Sequence, residues 1–383
     1  MATAAVLPER PPFAIRARLL TPLGAGGSRY EPDGLVVVDP AGRIAFAGAA
    51  ADRAEEAAEA LDLRPWVALP GMVDLHAHLP QLPNAGVGAG LDLLTWLERY
   101  IFPLERGFDE ARAEVVAPAA WRAFAAAGTT TTLVYGAVYE ASLEATFRAA
   151  EAHGIRAIVG KVMMDRRTYD DTIEPATILD RSLREASDLC SRWHMRDDGR
   201  LRYAFTPRFA VSCTAELLRE SAALAGAAGA YWQTHVAEDR AEIEEVARLF
   251  PEARDYVDVY DRAGGLGART VLAHGVHLSD RELARLVETG TRVAHCPASN
   301  LFLASGVMPL ARYREAGLAM GLGSDVAGGP DLSMFVAMRV AFYAWNALRV
   351  RGVAPSPVMG PLDWLRMGSL DGARALGLDD VTG

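Results

Sequence analysis

Lysine is almost missing from this chain: among 39 basic side chains only Lys161 is a lysine, and the rest are arginine. An Arg- and Ala-rich bias reflects genome composition more than function, and it leaves one amine to explain. Cysteine is scarce too. Cys190, Cys213 and Cys296 are odd in number, far apart and without a CxxC, which excludes a disulfide framework and a cysteine-held zinc site and fits a reducing cytoplasm. There is no excess of positive charge. A formal net charge of −10 argues against nucleic acid and acidic membrane surfaces as partners and leaves a small molecule as the expected one. The N-terminus, MATAAVLPERPPF, lacks the charged start and apolar stretch of a signal peptide, and no later segment approaches about 18 uninterrupted apolar residues. Neither a signal peptide nor a membrane span is expected. No repeat of about 20 to 50 residues is evident.

What is present is a globular balance, 51% apolar and 23% charged, over 383 residues. That length suits a barrel of about 250 residues with a smaller unit attached. The first stretch holds short β-like runs, FAIRARLL and DGLVVVDPAGRIAFAG, the second with a hairpin expected around Asp39 to Gly42. From residue 66 a different rhythm begins, in which apolar segments alternate with Ala/Leu/Glu/Arg stretches suited to amphipathic helices. The strand candidates are WVALPGMVDLHAH, GTTTTLVYG, IRAIVGKVMM, LRYAFTPRF, AYWQTHV, RTVLAHG, TRVAHCP and AMGLGSD. Eight β units alternating with helices imply parallel strands and a closed (β/α)8 TIM barrel, an α/β fold. The expected division is a small β domain over 1–69, the barrel over 70–370 and a C-terminal segment over 371–383 that leads back to the small domain.

Such barrels build their sites at the C-terminal ends of the strands. His76 and His78 fall there in the first strand, one residue apart and therefore on one side of it. His235 ends the fifth strand, His274 the sixth, and Asp325 follows the eighth. Each alone has a bland reading: an exposed turn, a satisfied core histidine, a capping aspartate. Together, three imidazoles and a carboxylate suit Zn²⁺ or a similar first-row ion with a position left for water. Glu238, three residues past His235, is placed to shuttle protons beside the ion. His153, His194 and His277 fall in helix or loop and read as structural or exposed, and His295 as a supporting residue.

These residues carry a resemblance. PGMVDLHAH, the later strand-end histidines and GSD resemble the amidohydrolase superfamily. The stretches HLPQ, LDLLTWLERYIFPLE, GTTTT, GKVMMD, TPRFAVSC, QTHVAE, LAHGVHLS, AHCPASNLFLASG and GLGSDVAGG, in that order from about residue 70 to 335, resemble its guanine deaminase family. The resemblance implies one Zn²⁺ per chain held by His76, His78, His235 and Asp325, with His274 near its water. It implies substrate contacts from Gln81, Arg208, Phe209 and Glu238, with His235 and Asp325 at the same place, and catalytic roles for Glu238, Asp325 and His274. Chemistry agrees for Arg208, because a guanidinium only donates and would read an acceptor such as a purine O6, where adenine offers an amine. Phe209 could cover a flat ring, and Gln81 can both donate and accept. Without the resemblance, Arg208 would read as a structural ion pair and Phe209 as core packing.

The implied reaction is hydrolysis of guanine to xanthine and ammonia by a cytoplasmic homodimer. Another aminated ring, such as a pterin, 8-oxoguanine or an aminotriazine, stays open, as does a non-catalytic scaffold. The resemblance also implies that the small domain is a β-sandwich completed by strands after a segment like GARALGLDDVTG, whereas this sequence ends at Gly383, so that domain is expected to look incomplete. PDL at 330–332 bears on the pocket rim. Lys161 raises a rival: near a strand end it could form a Schiff base or, carboxylated, bridge two metals. Its place inside the third strand, and the absence of lysine from LRYAFTPRF, favour one metal.

Overall fold

The computed structural model describes residues 8–168, 173–353 and 358–383. The chain forms two units, one running up to Pro70 and including Gly360–Arg366, the other formed by Gly71–Met359 and Met367–Gly383.

In the first unit β1 (Phe13–Pro22), β2 (Ser28–Val38), β3 (Ile44–Ala49) and β4 (Leu61–Ala68) form one sheet in the order β3-β2-β1-β4. The hairpin between β2 and β3 turns where expected. The Asp39 carboxylate accepts from the backbone N–H groups of Ala41 and Arg43, each at 2.9 Å, and Gly42 takes a φ of 78° that a side chain would disfavour. One expectation needs correction. Residues 66–68, expected to begin the first barrel strand, belong to β4, which pairs in parallel with β1; the run is interrupted at Pro70, which has no N–H for a ladder. The small β domain is a single mixed sheet among the described residues, the incomplete form expected of it, because four strands supply only one layer. Leu35, Ala50 and Ala57 form its buried apolar cluster.

The second unit holds β5 (Met72–His78), β6 (Thr129–Tyr135), β7 (Arg156–Gly160) with a two-residue continuation β8 (Val162–Met163), β9 (Leu201–Pro207), β10 (Tyr231–Val236), β11 (Thr270–His274), β12 (Arg292–His295) and β13 (Met320–Leu322). Every neighbouring pair from β5 through β6, β7 and β9 to β13 is parallel, so the expected eight-stranded barrel is present. The seam between last and first strand is closed just beyond β13. There Asp325 N donates to His76 O (2.7 Å) and His78 N to Val326 O (2.8 Å). The Asp74 carboxylate reinforces that seam by accepting from Ser324 N (2.9 Å) and Ser324 Oγ (2.5 Å).

Helices between the strands begin where short polar side chains satisfy their first N–H groups, as Thr214, Asp239 and Ser279 do for Ala215–Ala228, Arg240–Leu249 and Asp280–Thr289. The strands themselves are buried on both faces, as crossover helices require, and all seven residues of β5 are buried.

Residues 371–383, expected to lead back to the small domain, instead belong to the barrel unit. Ala373, Ala375, Leu376 and Leu378 join a buried cluster with Val73, Leu75, Leu133, Ile158, Ala204, Tyr231, Val271 and Ala294. Tyr231, the first residue of β10, donates its hydroxyl to Leu376 O at 2.5 Å, and Val73 N donates to Gly368 O at 2.9 Å, which fixes this plug at the N-terminal mouth. The reason is apolar area: RALGL has no partner for its leucines in water, and burial yields about 25 cal/mol per Å². Among the described residues no helix is long and apolar enough to cross a membrane.

Candidate active site

At the other mouth the side chains are polar. Asp74, His76 and His78 lie at alternate positions of β5, and all three are buried. Asp74 accepts from His76 N (3.1 Å) as well as from Ser324, so one carboxylate ties the histidine strand to the loop that carries Asp325; burial pushes its acid up to about 6. His235 arrives from the end of β10, and His274 from the end of β11 with a φ of 72°. Ala237 and Asp325 share that left-handed backbone, at φ 46° and 48°, so strain is concentrated around this mouth.

His78 Nε2 lies 3.2 Å from His76 Nε2 and 3.2 Å from His235 Nε2, and Asp325 Oδ1 lies 3.2 Å from His76 Nε2 and 3.4 Å from His78 Nε2. Protons cannot satisfy this group. His235 Nδ1 faces the Arg208 carbonyl oxygen at 2.6 Å, so the proton sits on Nδ1 and Nε2 carries a lone pair. His78 Nε2 can then donate to one histidine neighbour but not to two. Burial, followed by the charge of His76, holds His78 and His235 well below the usual imidazole range, so both are neutral ligands in waiting. Three imidazole nitrogens and a carboxylate oxygen that converge in this way fit a divalent cation. Two sets of atoms, from His76, His78 and His235 and from His76, His274 and Asp325, each lie within 4.8 Å of one another.

His274 donates from Nδ1 to Asn300 Oδ1 (2.9 Å), which turns its Nε2 lone pair toward Glu238 Oε2 (3.3 Å) and Asp325 Oδ2 (3.8 Å). Burial and then the Asp325 charge push Glu238 well above the usual carboxyl range. Asp325 goes the other way. Burial alone would raise it, but His76 and then His274 hold it below the usual carboxyl range. Two adjacent carboxyls are thus pushed apart into an acid and a base. Gly328 allows the Asp325 side chain this place, since a Cβ there would sit 2.9 Å from Oδ2.

These groups open into a cavity lined also by Gln81, Arg208, Phe209, Leu93, Trp96, Leu97 and Leu303. Every residue singled out from the sequence for the site, His76, His78, Gln81, Arg208, Phe209, His235, Glu238, His274 and Asp325, is therefore brought to one place, with His76 joined through its imidazole contacts. The remaining histidines and Lys161 are not. His194 Nδ1 accepts from Tyr203 N (3.2 Å), His277 Nε2 faces Ser305 O (2.8 Å), and His295 belongs to no cation-sized group among the described residues. Lys161 is buried between β7 and β8 and pairs at 3.2 Å with Glu185 of the outer helix Pro175–Trp193.

Three features escape a reading of the sequence. Glu105 is wholly buried and pairs with Arg208. Asp74 is the lone charge inside an apolar run, which is the signal that would have found it. The apolar roof from Leu93, Trp96, Leu97 and Leu303 carries no chemical signature at all.

The model of the Amidohydrolase family matches residues 67–383. This chain belongs to that family. It is 39% identical to a probable guanine deaminase of Deinococcus radiodurans over 359 residues, covering 92% of this chain and 80% of the relative. The guanine deaminase of E. coli superposes with a TM-score of 0.87 at 32% identity, over 97% of this chain and 85% of that one. Guanine deaminase from C. acetobutylicum, with guanine bound in its active site, superposes with a TM-score of 0.88 at 27% identity, over 95% and 86% of the two chains. The amidohydrolase barrel therefore accounts for the second unit, and the His/Asp group lies where that fold carries its chemistry.

Proposed function

We propose that this amidohydrolase converts guanine and water to xanthine and ammonia, with one Zn²⁺ per chain held by His76, His78, His235 and Asp325. The observation that carries the reading is the convergence of three imidazole nitrogens and the Asp325 carboxylate beside Glu238 within one buried cavity; the guanine deaminases among its relatives give the substrate. When bound, the ion lowers the pKa of a water molecule from 15.7 to roughly 7 and makes it a nucleophile at neutral pH.

The protein supplies the rest. Asp325, ionised, takes a proton from the attacking water. Glu238, protonated, gives one to the ring nitrogen next to C2 as the carbon–oxygen bond forms. Glu238, now ionised, takes the proton left on the new C2 hydroxyl, Asp325 gives the water's first proton to the amine, the C2–N bond breaks, and ammonia leaves with xanthine behind. His274, fixed by Asn300, keeps its Nε2 lone pair beside both carboxyls, where it accepts from the acid proton of Glu238. Arg208 donates to a ring acceptor, Gln81 meets a neighbouring edge and Phe209 covers the ring face.

Neutral histidines and oxygen from one aspartate suit zinc over magnesium or calcium, which take oxygen sets. We propose a cytoplasmic homodimer, checked by light scattering. The testing experiment is ammonia release and ultraviolet change on adding guanine to zinc-loaded protein, with adenine, a pterin, 8-oxoguanine and an aminotriazine in parallel. Turnover of guanine above the others is the expected result. Preference for a different ring overturns the substrate, and silence on all with metal bound overturns the enzyme.

A further inference from the structure

We infer that Glu105 is a positioning residue that sets which way the Gln81 amide points and thereby makes the cavity select a ring that carries a lactam edge. The inference rests on the guanine reading and extends it to a residue outside the metal group.

The observation is a buried triad. Glu105 is wholly buried, Gln81 is 1% exposed and Arg208 is 2% exposed. Gln81 Nε2 donates to Glu105 Oε1 at 2.6 Å, Arg208 Nη1 donates to Glu105 Oε2, and Arg208 Nη2 lies 3.5 Å from Glu105 Oε1. Glu105 comes from the helix Phe102–Arg106, which follows a wider turn over Leu97–Ile101. Phe102, three residues earlier and so on the same face, lies under the Arg208 guanidinium with its ring centre 5.1 Å from Cζ. One turn of helix therefore holds the guanidinium by its face and by its edge.

An amide side chain can present either oxygen or nitrogen, and its neighbours decide which. A carboxylate paired with a guanidinium only accepts, so the group that Gln81 turns to Glu105 has to be its NH₂. Gln81 Oε1 is left buried with no hydrogen-bond partner among the described residues, in the wall of the cavity. An unsatisfied buried carbonyl of this kind is costly and is expected to find its partner in a ligand. The cavity thus offers an acceptor from Gln81 next to donors from Arg208. That pattern is complementary to a ring N–H beside a ring carbonyl, the lactam edge of a 6-oxopurine. 2-Aminopurine carries the same amine at C2 but has no lactam: its N1 is an acceptor and C6 bears hydrogen, so it would leave Gln81 Oε1 unpaired.

The carboxylate has a second effect. It neutralises the buried guanidinium, which alone would carry a heavy desolvation cost. Arg208 is also joined to the metal group, since its carbonyl accepts from His235 Nδ1 at 2.6 Å and from Thr234 Oγ1 at 3.2 Å. Through Arg208, Glu105 connects the reading of the ring edge to the position of a metal ligand.

The test compares wild type, Glu105→Gln and Gln81→Leu, each zinc-loaded, with guanine and 2-aminopurine as probes. kcat and KM are measured for both bases, affinity by calorimetry, and zinc content and melting temperature on the same samples. In Glu105→Gln the carboxylate is gone and the Gln81 amide can turn. The expected result is a fall of about 10²-fold in the preference for guanine over 2-aminopurine, carried by KM and affinity, with zinc content unchanged. Gln81→Leu keeps the Glu105–Arg208 pair and should lose the same preference, so it decides the matter if Glu105→Gln does not fold. A purely structural role would lower melting temperature and both substrates alike, and a preference unchanged in both variants would equally overturn the inference. Turnover by the wild type separates the two levels. If it hydrolyses neither base, the functional reading fails, and calorimetry alone judges Glu105: a binding preference for guanine lost in the variants supports it, and no preference in the wild type overturns it.

Discussion

The two mouths of the barrel are built from the same eight strands and do opposite things. At the N-terminal mouth, Ala373, Ala375, Leu376 and Leu378 fill the space against Val73 and Leu75 of β5, and the interior is apolar and packed. At the C-terminal mouth, His76 and His78 of that same strand meet His235, His274, Glu238 and Asp325, with left-handed backbone at three positions and buried nitrogens such as His274 Nε2 and His78 Nδ1 left without partners among the described residues. One end stabilises the molecule. The other is held in a costly arrangement by it. The site's strain is tolerable because the strands are fixed elsewhere, by parallel ladders, by the plug and by the Asp74 seam.

The largest effect is expected at Glu238. Glu238→Gln should lower turnover by about 10³- to 10⁴-fold, the scale of a lost general acid, while zinc content and melting temperature stay near wild type. Steady-state kinetics with metal analysis would show it, and near-normal turnover would remove Glu238 from the mechanism. The opposite result is expected from the plug. Leu376→Ala should cost about 2–5 kcal/mol of stability in urea unfolding, by lost transfer energy and a cavity, with kcat and KM per folded molecule unchanged. A plug variant that lost activity but not stability would reverse the assignment of the two mouths.

A finer division concerns the wall behind the site. Glu242 accepts from Glu238 N at 2.9 Å, Asp239 N at 3.2 Å and Tyr256 Oη at 2.6 Å, and burial pushes it from its usual 4.5 up to about 7. The folded state therefore holds an extra proton between those values. Its contribution to stability is full below pH 4.5 and is lost as pH rises through 7, by about 3 kcal/mol. Glu242→Gln is neutral throughout, so the stability of wild type relative to this variant should shrink across that window at equal metal content. A difference that stays flat would show that Glu242 titrates normally.

Much of this was legible in the sequence, for definite reasons. The strands showed because parallel strands buried on both faces read as apolar runs, and the HxH spacing put both imidazoles on one side of β5. His235, His274 and Asp325 could be aligned with them because strand ends of a barrel converge. β4 was hidden because WVAL and GMVDLHAH read as one apolar run, although Pro70 lies between them. The plug was hidden because nothing local tells a short apolar helix where it will be buried. Glu105 carries no local sign of its role, since a glutamate on a helix is ordinarily solvated; only the fold brings Arg208, at the end of β9, against it.

The central claim is that the polar mouth is a one-zinc active site for guanine. Metal-free protein, prepared with a chelator that is then removed, would be titrated with Zn²⁺ while initial rates of ammonia release from guanine are recorded. Activity should rise from nothing in proportion to added zinc and level off at about one equivalent per chain, with His76→Ala failing to respond. Activity that persists without metal, or that needs two equivalents before it rises, would contradict it.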